Sequence, residues 1–122
     1  MRVFAIGDPH LSAANPKPMN VFGGNWDDHF ERMSAAWRER VTEKDLVLIP
    51  GDISWAMHLE DAVPDLEALA ALPGRSVIIR GNHDYWWSSL SKVRSILPPH
   101  MQAIQNDALD FGPLVVAGTR LW

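Results

Sequence analysis

The chain is 122 residues long, enough for one domain with a sizeable core, and it is 47% hydrophobic against 21% charged, which excludes a disordered chain. A formal charge of -4 with no Lys or Arg block argues against non-specific nucleic-acid binding. With no cysteine there is neither a disulfide framework nor a thiolate site, so any metal must take oxygen and imidazole ligands.

No apolar run approaches the roughly 18 residues of a membrane span, and Met1-Arg2-Val3 enters a strand pattern without signal-peptide architecture. A cytoplasmic location is the expectation, with no membrane partner. Residues 2–7 read as a first strand, apolar from Val3 to Ile6, which suits a strand covered on both faces. It ends in Gly7-Asp8-Pro9-His10. The loop from Leu11 to Gly24 contains Pro16, Pro18, Gly23 and Gly24 and exceeds the usual connection, so Lys17, Met19 and Phe22 could reach back over the strand tips.

A helix follows from Asn25, a candidate N-cap with Asp27 and Asp28 in the first turn; Trp26, Phe30, Met33, Trp37 and Val41 form its inward stripe. His29 falls on the flank among charges and reads as solvated. Asp45 to Ile49 is a second strand, closed by Pro50-Gly51-Asp52. A second helix begins near Asp61, because Pro64 is tolerable only close to the first turn, and turns Val63, Leu66, Leu69, Ala70 and Leu72 inward until Pro73-Gly74 stops it.

Val77-Ile78-Ile79-Arg80 then delivers Gly81-Asn82-His83-Asp84, the third apolar run to end in glycine and polar side chains. Ser88 or Ser89 caps a shorter helix through Val93 and Ile96, ended by Pro98-Pro99. Met101 to Ile104, Ala108 to Phe111 and Leu114 to Ala117 read as short strands, the last two a hairpin about Gly112-Pro113. Alternating strands and helices imply an α/β fold with a parallel sheet and right-handed crossovers. A further apolar run ends at Gly118, and one domain over residues 1–122, cut short at its C-terminus, is expected.

Ligands of open α/β sheets bind beyond the carboxyl ends of the strands, so three adjacent tips would aim Asp8, His10, Asp52, Asn82 and His83 at one spot. In Asp8-x-His10 the two side chains share one side of an extended tip. Carboxylates, an imidazole and an amide oxygen make a mixed set that suits Mn, Fe or Zn better than Ca or Mg. A bridging Asp would let two cations share a hydroxide for displacement at phosphorus. The six tryptophans, Trp55, Trp86 and Trp87 among them, read first as packing.

Gly7-Asp8-Pro9-His10, Gly51-Asp52 and Gly81-Asn82-His83-Asp84 together resemble the first three signature blocks of the calcineurin-like metallophosphoesterases. Gly51-Asp52-Ile53-Ser54-Trp55-Ala56 and Gly81-Asn82-His83-Asp84-Tyr85-Trp86-Trp87 further resemble a bacterial subgroup of predicted phosphohydrolases. The resemblance spans the chain and implies the N-terminal part of a four-layer αββα sandwich, a βαβαβ core followed by short strands that begin the second sheet. It implies two divalent metal ions, with Asp8 and His10 on the first, Asp52 bridging and Asn82 on the second. His83 would face the scissile phosphate and protonate the leaving group, Asp84 would orient its imidazole, and the bridging hydroxide would be the nucleophile. The implied substrate is a phosphate ester.

Two positions depart from the family pattern. Trp55 stands where many members carry an acid, and no later Gly-His or Gly-His-x-His follows, His100 having neither the preceding strand nor the glycine. A non-catalytic fragment or binding module that keeps part of the metal site is therefore the alternative. A nucleotide-binding domain is disfavoured because no Gly-rich phosphate loop is present.

Overall fold

The computed structural model describes residues 1–14 and 28–122. The expected N-cap at Asn25, the first-turn Asp27, Trp26, and the reach of Lys17, Met19 and Phe22 fall outside the described residues.

The elements are β1 (Val3–Ala5), α1 (His29–Arg40), β2 (Leu46–Ile49), α2 (Leu59–Ala70), β3 (Arg75–Ile78), α3 (Leu90–Ile96), β4 (Met101–Ala103), β5 (Asp107–Asp110) and β6 (Val115–Gly118). The first four strands form one parallel sheet in the order β1-β2-β3-β4, with Phe4 opposite Val47, Leu48 opposite Val77, and Ile78 opposite Ala103. Side chains alternate across it. Val47, Ile49 and Ile78 join Trp37 and Val41, Leu66 and Leu69, and Val93 from the three helical segments in one core. Leu46, Leu48 and Val77 face the other way and meet Ile104, Leu109, Phe111 and Val116. The hairpin β5-β6, paired antiparallel from Asp107–Gly118 to Asp110–Val115, supplies most of that second cover.

β4 corrects the expectation that all the short strands after Met101 begin the second sheet. It pairs parallel with β3, Ser76 opposite Met101, because α3 returns the chain along the sheet as a crossover, and only the hairpin forms the second sheet. β1 is likewise less covered than expected. It is the sheet's edge, with Val3 46% exposed. An open groove of about 630 Å³ runs between it and α1, lined by Phe4, Ile6, Met33 and Trp37 among others.

α1 ends at Val41, whose amide bonds the Trp37 carbonyl, and the Trp37 indole donates to the Pro73 carbonyl at 2.8 Å, tying the helix to the turn before β3. α2 starts at Leu59 and carries Pro64 in its second turn, further inside than expected. Its buried residues are Ala62, Asp65, Leu66 and Leu69, whereas Val63 and Ala70 are half-buried. Ser89 caps α3 by accepting from the Lys92 amide at 3.3 Å. Among the described residues no helix is long and apolar enough to cross a membrane.

Candidate metal centre

The β2 and β3 tips meet backbone to backbone at two glycines. A side chain on Gly51, which has φ of +101°, would lie 2.6 Å from the Gly81 Cα, and one on Gly81 would collide with the amide and carboxylate of Asp52. The β1 tip joins them by continuing the ladder beyond the strands. His10 and Leu11 donate their amides to the carbonyls of Asp52 and Ile53 at 3.0 and 2.9 Å, and Trp55 donates to the Leu11 carbonyl at 2.8 Å. The His29 ring, expected to be solvated, reaches the Pro9 carbonyl at 3.0 Å. A carbonyl only accepts, so Nε2 carries the hydrogen of that bond.

Asp8, His10 and Asp52 adopt left-handed backbone conformations, with φ of 54°, 48° and 51°. Each such non-glycine residue costs of order 1–3 kcal/mol, strain that characteristically collects at functional sites. The result is convergence. One ligand atom from each of the three lies within 4.8 Å of the others, and His10 Nε2 is 3.8 Å from Asp52 Oδ2. Two carboxylates and an imidazole at that separation fit a divalent cation such as Mn, Fe or Zn.

The third tip completes the surroundings of Asp52. Its Oδ1 accepts from the His83 amide at 2.9 Å. With its nitrogen turned toward Asp52, the Asn82 amide donates to Oδ1 and Oδ2 at 3.2 and 3.3 Å. The opposite orientation would place the amide oxygen against two carboxylate oxygens, an arrangement that a cation between them would stabilise. Asn82 therefore sits where it can serve either state.

Asp84 does not do what was expected of it. Its carboxylate is fully buried and accepts five hydrogen bonds: from the amides of Asp52, Ile53, Ser54 and Gly81 at 2.8, 2.8, 3.2 and 2.7 Å, and from the Trp86 indole at 3.0 Å. Burial pushes its pKa up, while the Gly81, Ser54 and Ile53 amides and the indole pull it down. The turn thus directs this carboxylate into the backbone and away from the imidazole. The His83 ring instead meets the Tyr85 hydroxyl, 3.4 Å from Nδ1, and the Trp55 ring, whose centroid is 5.0 Å away. Trp55 also stacks on His10 at 4.9 Å, and the His10 and His83 rings lie 6.0 Å apart, so the indole and the two imidazoles form one three-ring cluster.

Sequence reasoning missed Asp65. Its buried carboxylate accepts from Ser54 Oγ at 2.6 Å and from the Ala13 amide at 3.0 Å, and burial raises its pKa. The available signal was an acid set directly before Leu66 of the inward stripe.

The profile of the family described as calcineurin-like phosphoesterase matches residues 1–120. The chain belongs to that family. The resemblance carried by the three Gly-polar tips is thereby borne out, and so is the α/β fold with its parallel βαβαβ core. Within that family fold the Asp8, His10, Asp52 cluster is the candidate metal site. The chain is also similar to the crystal structure of AQ665, a protein of unknown function from Aquifex aeolicus, with a TM-score of 0.52 and 18% identity over 93% of this chain. It spans 56% of the length of that structure, a likeness of fold alone. No curated protein matches.

Proposed function

We propose that this chain carries the metal-binding strand tips of a phosphohydrolase that cleaves a phosphate ester with two divalent cations. The observation that carries this reading is the convergence of Asp8, His10 and Asp52 within 4.8 Å at the carboxyl end of a parallel sheet. Asp8 and His10 would hold the first cation, Asp52 would touch both, and Asn82 would offer its amide oxygen to the second. Bound cations would supply Lewis acidity and activate water as the nucleophile.

The chain's own groups do the rest. Asp52 is held by the His83 amide, so its carboxylate is oriented before any cation arrives. The His83 imidazole, set between Tyr85 and Trp55, is the group placed to donate a hydrogen bond to the phosphate and a proton to the leaving oxygen. Asp84 acts behind this front, joining the amides of residues 52–54 to Gly81. The phosphorylated substrate, a cytoplasmic location and the absence of nucleic-acid or membrane partners belong to the same proposal. The test is to load the protein with Mn, measure bound metal and follow an activated aryl phosphodiester. Stoichiometric metal with turnover supports the reading, and absence of specific metal binding overturns it.

A further inference from the structure

Asp65 is a carboxylate for which the site's chemistry has no use, yet it is 2% exposed on the inward face of α2. A carboxylate is unfavourable there unless its oxygens are hydrogen-bonded. Both are: Oδ2 takes the Ser54 hydroxyl at 2.6 Å and Oδ1 the Ala13 amide at 3.0 Å. The two donors come from different tips. Ala13 lies on the segment that leaves Asp8 and His10, and Ser54 on the segment that leaves Asp52.

Those two segments run side by side through the amides of His10, Leu11 and Trp55 and the bridge between Leu11 and Ser54. Ser54 binds Asp65 through its hydroxyl and Asp84 through its amide, so one residue links the helix, the second tip and the third. Ser54 Oγ also accepts the Ala56 amide at 3.1 Å, which fixes its rotamer. A helix packed in the core by Ala62, Leu66 and Leu69 is a rigid support for such a link.

We propose that Asp65 is a positioning residue of the metal centre: from α2 it fixes the segment carrying Asp8 and His10 against the segment carrying Asp52, so that their ligand atoms converge before a cation binds. The inference rests on the metal-site reading above. Groups that orient ligands from behind a metal site typically change affinity 10- to 100-fold when removed. Asp65 acts one bond further back, so a loss of about tenfold is expected.

The experiment measures Mn affinity and amide hydrogen exchange in the wild type and four variants. Asp65→Leu removes both links while keeping apolar bulk, and Asp65→Asn keeps an oxygen to accept the Ala13 amide and presents an NH2 that can donate to Ser54 Oγ, reversing the direction of that bond. Ser54→Ala breaks the same link from the other end should Asp65→Leu fail to fold. Val93→Ala loosens the core at α3 without touching the tips. Expected are Mn binding about tenfold weaker and faster exchange at His10, Leu11 and Trp55 in Asp65→Leu and Ser54→Ala, recovery in Asp65→Asn, and no such change in Val93→Ala. Wild-type Mn affinity and exchange in Asp65→Leu would overturn the inference, as would equal effects in Val93→Ala. A wild-type protein that binds no Mn would defeat the metal-site reading, and the exchange rates alone would then decide whether Asp65 couples the two segments.

Discussion

The amide of Asp52 donates to the Asp84 carboxylate at 2.8 Å, and the Asp52 carboxylate accepts the amide of His83, the neighbour of Asp84, at 2.9 Å. The two loops are thus laced reciprocally, each offering an acid to the other's backbone. The lacing locates the candidate ligand Asp52 through both its amide and its carboxylate.

Replacing Asp84 by Asn should therefore act on folding before it acts on chemistry. The new amide nitrogen would face backbone donors, leaving at least one of them unsatisfied in a fully buried place, where each loss costs about 1–3 kcal/mol. Urea unfolding should show a loss of about 3 kcal/mol in Asp84→Asn. A variant as stable as wild type would remove Asp84 from this role.

Asp52→Asn should lose bound metal and hydrolysis together, because a carboxylate shared between cations serves both. The Asn side chain can still accept the His83 amide, so the fold should persist, and the thermal midpoint without metal should change little. Metal content by elemental analysis is the measurement. Full occupancy with full turnover in Asp52→Asn would exclude the bridging role.

His83 makes its contact to Asp52 through the backbone, so His83→Asn should keep its metal while kcat falls about 10²- to 10⁴-fold. The loss should shrink for substrates whose leaving group needs no proton. Tyr85→Phe, which removes only the hydroxyl 3.4 Å from Nδ1, should lower kcat in the same direction by less and leave KM alone. Metal loss in His83→Asn would make the imidazole a ligand instead.

The acid limb of stability should report Asp45. The amide of Thr42, then that of Arg2, hold its carboxyl well below the usual carboxylate range, with the Thr42 hydroxyl and the Arg2 guanidinium adding to the pull. A depressed folded pKa stabilises above the unfolded value of about 3.9 and loses that contribution as pH falls below it. Asp65 and Asp84, raised by burial, have the opposite sign: their contribution is complete in acid and declines as pH rises above about 3.9. Comparing wild type with Asp45→Asn isolates the first effect. The gap in thermal midpoint should be constant above about pH 5 and narrow toward pH 2. A gap independent of pH would refute the assignment.

The three tips were legible because an apolar run ending in glycine and a ligand-type side chain is a local pattern, written within a few residues. What the side chains do next is not local. Asp84 adjoins His83 in sequence, and adjacency suggested a pair, yet the turn sends the carboxylate toward amides more than thirty residues earlier. Asp65 finds its partners on two other segments, so nothing in its helix names them. The flank position of His29 gave no hint of the Pro9 carbonyl for the same reason. β4 was misassigned to the second sheet because a short strand does not say which neighbour it pairs with, whereas the seven-residue helix before it does once its crossover is seen.

The left-handed backbone at Asp8, His10 and Asp52 has a consequence for how such a protein can change. Asp8 is exposed, so glycine there would relieve about 1 kcal/mol of strain while deleting a candidate ligand, whereas glycine at His10 or Asp52 would also give up the stack on Trp55 or the bond from the His83 amide. A screen that rewards thermal resistance alone should therefore erode the cluster first at Asp8 and hold longest at Asp52, where the same side chain also secures the fold.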